Sequence, residues 1–91
     1  MEIVLRSPRC PRSEAARASR ELMDQLATTR AVDQLVDVLV VIAATPELTV
    51  ADVNAVADAI AARVHPDAEL EIDASTSLTG ADEIEIAIAL P

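Results

Sequence analysis

Hydrophobic and polar positions follow three patterns along this chain, alternation, a helical stripe and an unbroken apolar run, and these predict strands and helices in turn. Glu2 to Arg6 alternates and is rich in β-forming residues, which predicts a short first strand; Pro8 and Pro11 then forbid its continuation. Ser13 is placed to cap a helix running to about Ala27, with Ala15, Ala18, Leu22 and Leu26 on one face and Met23 beside them. Val36 to Ala44 has nothing charged after Asp37, so it is expected to be a strand buried on both faces, and Pro46 stops it. Thr49 is a natural N-cap, and Asp52, three residues on, approximates a capping box while favouring the positive end of the helix dipole. From there Val53, Val56, Ala57, Ile60, Ala61 and Val64 form a helical stripe that His65 and Pro66 end. The last third has period two: Leu70 and Ile72 against Glu69, Glu71 and Asp73, then Ile84, Ile86, Ile88 and Leu90 against Glu83, Glu85, Ala87 and Ala89. Between those two strands lies a loop, Ser75 to Ala81, holding the chain's single glycine, Gly80.

The order is therefore β-α-β-α-β-β within one domain spanning residues 1–91. If both helical crossovers are right-handed and step the same way across the sheet, both helices lie on one face. The expected class is α/β (α+β): a two-layer sandwich with a four-stranded mixed sheet and two helices on one side. Periodicity does not order the strands, and a ferredoxin-like arrangement or a simple terminal hairpin competes with an inserted last strand.

Composition narrows the rest. Apolar residues make up 52% of the chain yet none is aromatic, so the core must come from Val, Ile, Leu and Ala and tolerates holes poorly. One cysteine, Cys10, cannot form an internal disulfide. The first residues lack the long apolar region of a signal peptide, and the apolar run from Val38 to Ala44 is far below the ~20 residues that cross a bilayer; a soluble cytoplasmic protein without membrane contact is expected.

Sixteen acidic residues against seven arginines and no lysine give a net charge of −9, which argues against nucleic acid as a partner. An acidic, lysine-free chain rich in Ala and Val matches the style of salt-loving organisms, and a halophilic archaeon is the expected source; an acidic protein from a GC-rich genome is the alternative. The charge is uneven: residues 1–30 carry net +2 and residues 31–91 net −11.

Pro46, Glu47, Leu48, Thr49, Asp52, Val53 and Asn54 together resemble a segment of the FtsZ family, in whose C-terminal domain a buried strand leads through a Pro-Asp-Leu-Thr-like turn into a helix. That helix starts with an acidic residue, a valine and an asparagine. The resemblance continues from Asp67 to Leu90, where the family also has two strands around an acidic loop, and fades towards the N-terminus. It implies a mixed sheet in which the last strand inserts between the first and second, with the third at the edge. The GTPase part of the family has no counterpart in these residues. The opening helix of the family's domain and the glycines near the start of the matched region are also missing, so GTP turnover and nucleotide binding are not carried over. The resemblance implies a non-enzymatic interaction module, self-associating or acting on FtsZ-like filaments in cell division.

The face of the sheet away from the helices is the candidate contact surface. Placing the isoleucines of the last strand inward puts Glu83, Glu85, Ala87 and Ala89 outward, together with Glu69, Glu71 and Asp73; placing Asp37 outward carries Leu39, Val41 and Ala43 with it. The result is an apolar middle flanked by carboxylates, a candidate interface for a homodimer or an FtsZ-like partner. Arg6, Arg9 and Arg12 cluster in the first loop, where Arg9 and Arg12 either dock on an acidic surface or balance the chain's own carboxylates. Catalytic, cofactor and metal constellations are not found: one glycine cannot build a phosphate loop, and acids alternating on a strand stand ~6.6 to 6.8 Å apart, too far to chelate. Cys10, near several arginines, has the setting for a lowered pKa, with an inert loop thiol as the other reading. His65 is expected to cap helix carbonyls. The competing functional readings are a small enzyme of the chorismate-mutase type with its site at a subunit interface, drawing on the arginine cluster, and a fragment without function.

Overall fold

The last strand in the sequence is a central strand of the sheet. A computed structural model describes all 91 residues. Its strands are β1 (Glu2–Arg6), β2 (Cys10–Pro11), β3 (Asp37–Ala44), β4 (Glu69–Ser75) and β5 (Glu83–Leu90); its helices are α1 (Ala15–Ala27) and α2 (Val50–Ala61). Single 3₁₀ turns occupy Arg12–Glu14 and Val32–Gln34. The strand order is β1-β5-β3-β4, with β2 also on β5. β5 runs antiparallel to β1, β2 and β3, while β3 and β4 are parallel. The inserted last strand is thus the topology observed. A terminal hairpin is excluded because β3 separates β4 from β5, and a ferredoxin-like sheet by the parallel β3–β4 pair. The link from β4 to β5 passes over the end of β3, where the Leu78 amide donates to the Ala44 carbonyl at 3.0 Å.

The sheet has five strands, not four, because the chain resumes pairing with β5 after β1 ends. Ser7 bridges the interruption: its amide donates to the Ile86 carbonyl at 2.7 Å, and its hydroxyl accepts from the Ile86 amide at 2.9 Å. Pro8 breaks the ladder, and Cys10 and Pro11 then pair with Ile84 and Glu83. On the other side of β5, buried Thr45 acts similarly, its hydroxyl accepting from the Glu83 amide at 3.1 Å.

Ser13 does not cap α1. It lies inside the 3₁₀ turn Arg12–Glu14, and the N-cap position falls to Glu14, which makes no capping hydrogen bond. α2 is capped as its sequence predicts: the Thr49 hydroxyl accepts from the Asp52 amide at 3.2 Å, and the Asp52 carboxylate accepts from the Thr49 amide at 2.9 Å. Val56, Ile60 and Val64 of its stripe are buried, whereas Ala61 is exposed at the helix end.

Both helices pack on one face of the sheet and on each other, closing a single core. Leu22 and Met23 of α1 and Val56 and Ile60 of α2 meet Val40, Ile42, Ile86 and Ile88 of the central strands, all essentially without solvent contact. β3 is not buried on both faces. Val38, Val40, Ile42 and Ala44 are buried, while Asp37, Leu39, Val41 and Ala43 are only half-buried. With both crossovers on the same side, no layer of this chain covers the second face. Replacing Ile86, 1% exposed, by Ala is expected to cost about 2–5 kcal/mol in urea unfolding, and Leu39→Ala clearly less.

Candidate interaction surface

Residues paired directly across strands share a face, so the register defines the uncovered surface row by row. One row runs Ile3, Ala89, Leu39, Glu71; the next runs Arg6, Ala87, Val41, Asp73. Glu85, Ala43 and Ser75 close one end and Asp37 with Glu69 the other. All six candidate residues of the face, Asp37, Leu39, Val41, Ala43, Ala87 and Ala89, are therefore brought together. Ala87 and Ala89 are 5% and 2% exposed, so they form the floor of a trough walled by the larger side chains of β3 and β1. A shallow cleft of about 80 Å³ opens among Arg6, Ser7, Val41, Ala43, Glu85 and Ala87.

Ile3 and Arg6 belong to this surface, which reading the sequence by period two missed. Three residues apart on a regular strand, they would point to opposite faces. The register shifts between Ile3 and Leu5, a bulge with Val4 as the extra residue, so Ile3 lies opposite Ala89 and Arg6 opposite Ala87. The face is consequently polar in the electrical sense, with Arg6 on the β1 rim and Glu69, Glu71 and Asp73 on the β4 rim. None of these four charges forms an ion pair within the chain.

Arg9 and Arg12 stand elsewhere and are engaged internally. Arg9 pairs with Glu83 at 2.9 Å and donates to the Thr79 carbonyl, beside the one positive-φ residue, Gly80 at +106°. Arg12 grips Asp82 through Nε and Nη2 at 2.7 and 3.0 Å and Asp52 through Nη1 at 2.6 Å. One guanidinium thereby joins the first loop, the α2 cap and the entry to β5. These partners hold Arg12 above its ordinary value. Burial pulls the Asp52 carboxyl upward, but hydrogen bonds from Arg12 and Thr49 outweigh it and the net shift is down; the Arg12 bond lowers Asp82 as well.

The remaining candidates are local. Burial, then Glu14, Glu21 and Glu83, push the Cys10 thiol up, not down, so the arginines around it do not activate it. His65 accepts from the Asp67 amide through Nδ1 at 3.0 Å, stabilising the turn after α2 instead of capping helix carbonyls. A second cavity, about 160 Å³, lies between β2 and α1 and is lined by Cys10, Glu14, Arg17 and Glu21, with Arg17 paired to Glu21 at 3.1 Å. No group of three or more His, Cys, Asp or Glu side chains is placed to hold a metal. No helix is long and apolar enough to cross a membrane.

A mixed β1-β5-β3-β4 sheet carrying two helices on one face defines a two-layer α+β domain, and solved structures give that fold a name. The chain is similar to FtsZ of M. jannaschii. Against a W319Y mutant the TM-score is 0.72 at 15% identity, covering 81% of this chain and 22% of that one. Against an empty FtsZ dimer it is 0.74 at 15% identity, covering 91% and 25%. The fold is that of an FtsZ C-terminal-like domain, and the chain spans about a quarter of the FtsZ chains it matches. No protein-family model and no curated protein matches the sequence.

The Arg12 cluster predicts acid sensitivity. Both carboxyls are depressed below the ordinary 3.8 in the folded state, so their contribution is complete above that value and is lost as pH falls through the lower folded values. Urea midpoints measured from neutral pH down to about pH 2 should fall more steeply for the wild type than for Arg12→Gln, which is less stable at neutral pH.

Proposed function

We propose that this domain is a non-enzymatic interaction module that acts in cell division on FtsZ-like filaments, with the uncovered sheet face as its contact surface. The observation that carries the reading is the pairing of an FtsZ C-terminal-like fold with a β3 whose Leu39 and Val41 have no cover. A domain with the shape of a subunit's part can occupy a place that a complete subunit would use, and so cap or space a filament. Apolar residues rimmed by charge are the composition of such surfaces.

The test is co-sedimentation with FtsZ-like polymers assembled with GTP. Wild-type protein is expected in the pellet and Val41→Glu in the supernatant, because a charge in the middle of the apolar rows cannot be desolvated on contact. Equal pelleting of the two would remove the sheet face from the reading. Absence of wild-type protein from the pellet would remove the filament.

A further inference from the structure

We propose that the uncovered sheet face pairs with the same face of a second copy of this chain, about a two-fold axis parallel to the strands. The proposal rests on that face being the contact surface, as argued above, and names its occupant in the absence of filaments. Filament binding and self-pairing then compete for the same rows.

Two observations select the second copy and the axis. The first is charge. Arg6 and Asp73 lie at opposite ends of one row, Arg6-Ala87-Val41-Asp73, and neither has an ion partner in its own chain. A two-fold parallel to the strands, passing between β5 and β3, lays β1 of one copy over β4 of the other without shifting the rows along the strands. Each Arg6 then stands over Asp73 of the other copy, with Glu71 beside it in the next row, and the contact is made twice by symmetry. The other in-plane axis, across the strands, lays β1 over β1 and β4 over β4. That arrangement sets arginine rim on arginine rim and acidic rim on acidic rim.

The second observation is size. Under the axis parallel to the strands, β5 lies over β3, so the sunken Ala87 and Ala89 receive Val41 and Leu39 of the other copy. Large side chains enter small-residue floors in both directions. Under the alternative axis the large residues meet one another and the alanine floors are left facing each other. Facing sheets pack within about 30° of alignment, so the middle rows stay in contact while the longer rim side chains span the diverging corners. Asp37 and Glu69 at one end and Glu85 at the other remain at the rim, where water reaches them.

Area sets the strength. Four strands about 4.8 Å apart and about seven residues long give a footprint of roughly 450 Å² per copy. That is below the ~800 Å² per partner of a stable complex, so the pair is a weak one, seen at high protein concentration. The net charge of −9 per chain opposes it further at low salt, and ~0.15 M salt, with a Debye length of ~8 Å, screens that long-range repulsion more than the close contacts.

Sedimentation equilibrium at ~0.15 M salt up to roughly millimolar protein, on wild type, Arg6→Asp, Asp73→Arg and the double variant, tests the pairing. Both positions, Arg6 and Asp73, are exposed, and unchanged urea midpoints will verify that each variant is folded. Wild type is expected to be in monomer–dimer exchange, each single reversal to weaken the dimer about tenfold or more, and the double reversal to return it to within about threefold of wild type. Val41→Glu should be monomeric. A wild type that stays monomeric throughout overturns the proposal, as does a dimer indifferent to both single reversals. So does a dimer strengthened by the neutral variant Arg6→Gln, the signature of the axis across the strands, where Arg6 would face Arg6 of the other copy. A monomeric wild type that still pellets with filaments, and loses this with Val41→Glu, would overturn the self-pairing alone. A dimer that ignores filaments would overturn only the functional reading.

Discussion

Everything in this domain hangs on β5 taking its place between β1 and β3. Its backbone is paired on both sides along most of its length, and where regular pairing fails, the Ser7 and Thr45 hydroxyls supply the missing acceptors. Its inward isoleucines, Ile84, Ile86 and Ile88, fill the centre of the core between the two helices. Until this strand is inserted, β1 and β3 have no neighbour in common and the helices have no continuous floor. Pairing Glu2 with Leu90 closes nearly the whole chain into one loop, a long-range contact with a correspondingly large loop-closure entropy cost.

The polar network reinforces the same point. Arg12 reaches Asp82 at the entrance to β5 and Asp52 in the α2 cap, so one side chain couples the first loop, the second crossover and the last strand. Without aromatic residues, the core buries less area per side chain, and in a domain of this size such a cluster matters more to stability than it would in a larger one. The arginines of the first loop are thus turned inward electrically. Arg9 and Arg12 neutralise the chain's own acids, and Arg6 is left as the free cation on the surface where the uncovered face needs one.

The uncovered face combines an apolar middle with protection against the wrong association. β4, an outer strand of the sheet, carries Glu69, Glu71 and Asp73 at alternate positions, and charge on an edge strand discourages a further strand from pairing there. β1, the other outer strand, is bulged at Val4 and ends at Arg6, two residues before Pro8. Both edges are therefore poor templates for sheet extension, and association is directed to the face. The bulge has a second consequence, since it turns Arg6 onto that face and gives the two rims opposite charge.

Local patterns set most of the elements and the inward sides of α2 and β5. The period-two isoleucines of β5, the stripe of α2 and the Thr49–Asp52 capping box are local patterns, and they specify local structure because neighbours in sequence are also neighbours in space. The resemblance to FtsZ added the strand order, which the periodicities left open. Other features depend on partners distant in the chain: a fifth strand made by Cys10 and Pro11, the passing of the α1 N-cap position from Ser13 to Glu14, the half-exposure of β3, and the sinking of Ala87 and Ala89 between larger neighbours. The placing of Ile3 and Arg6 on one face is the clearest instance. A bulge exists only relative to the strand it pairs with, and the pairing strand lies at the far end of the chain.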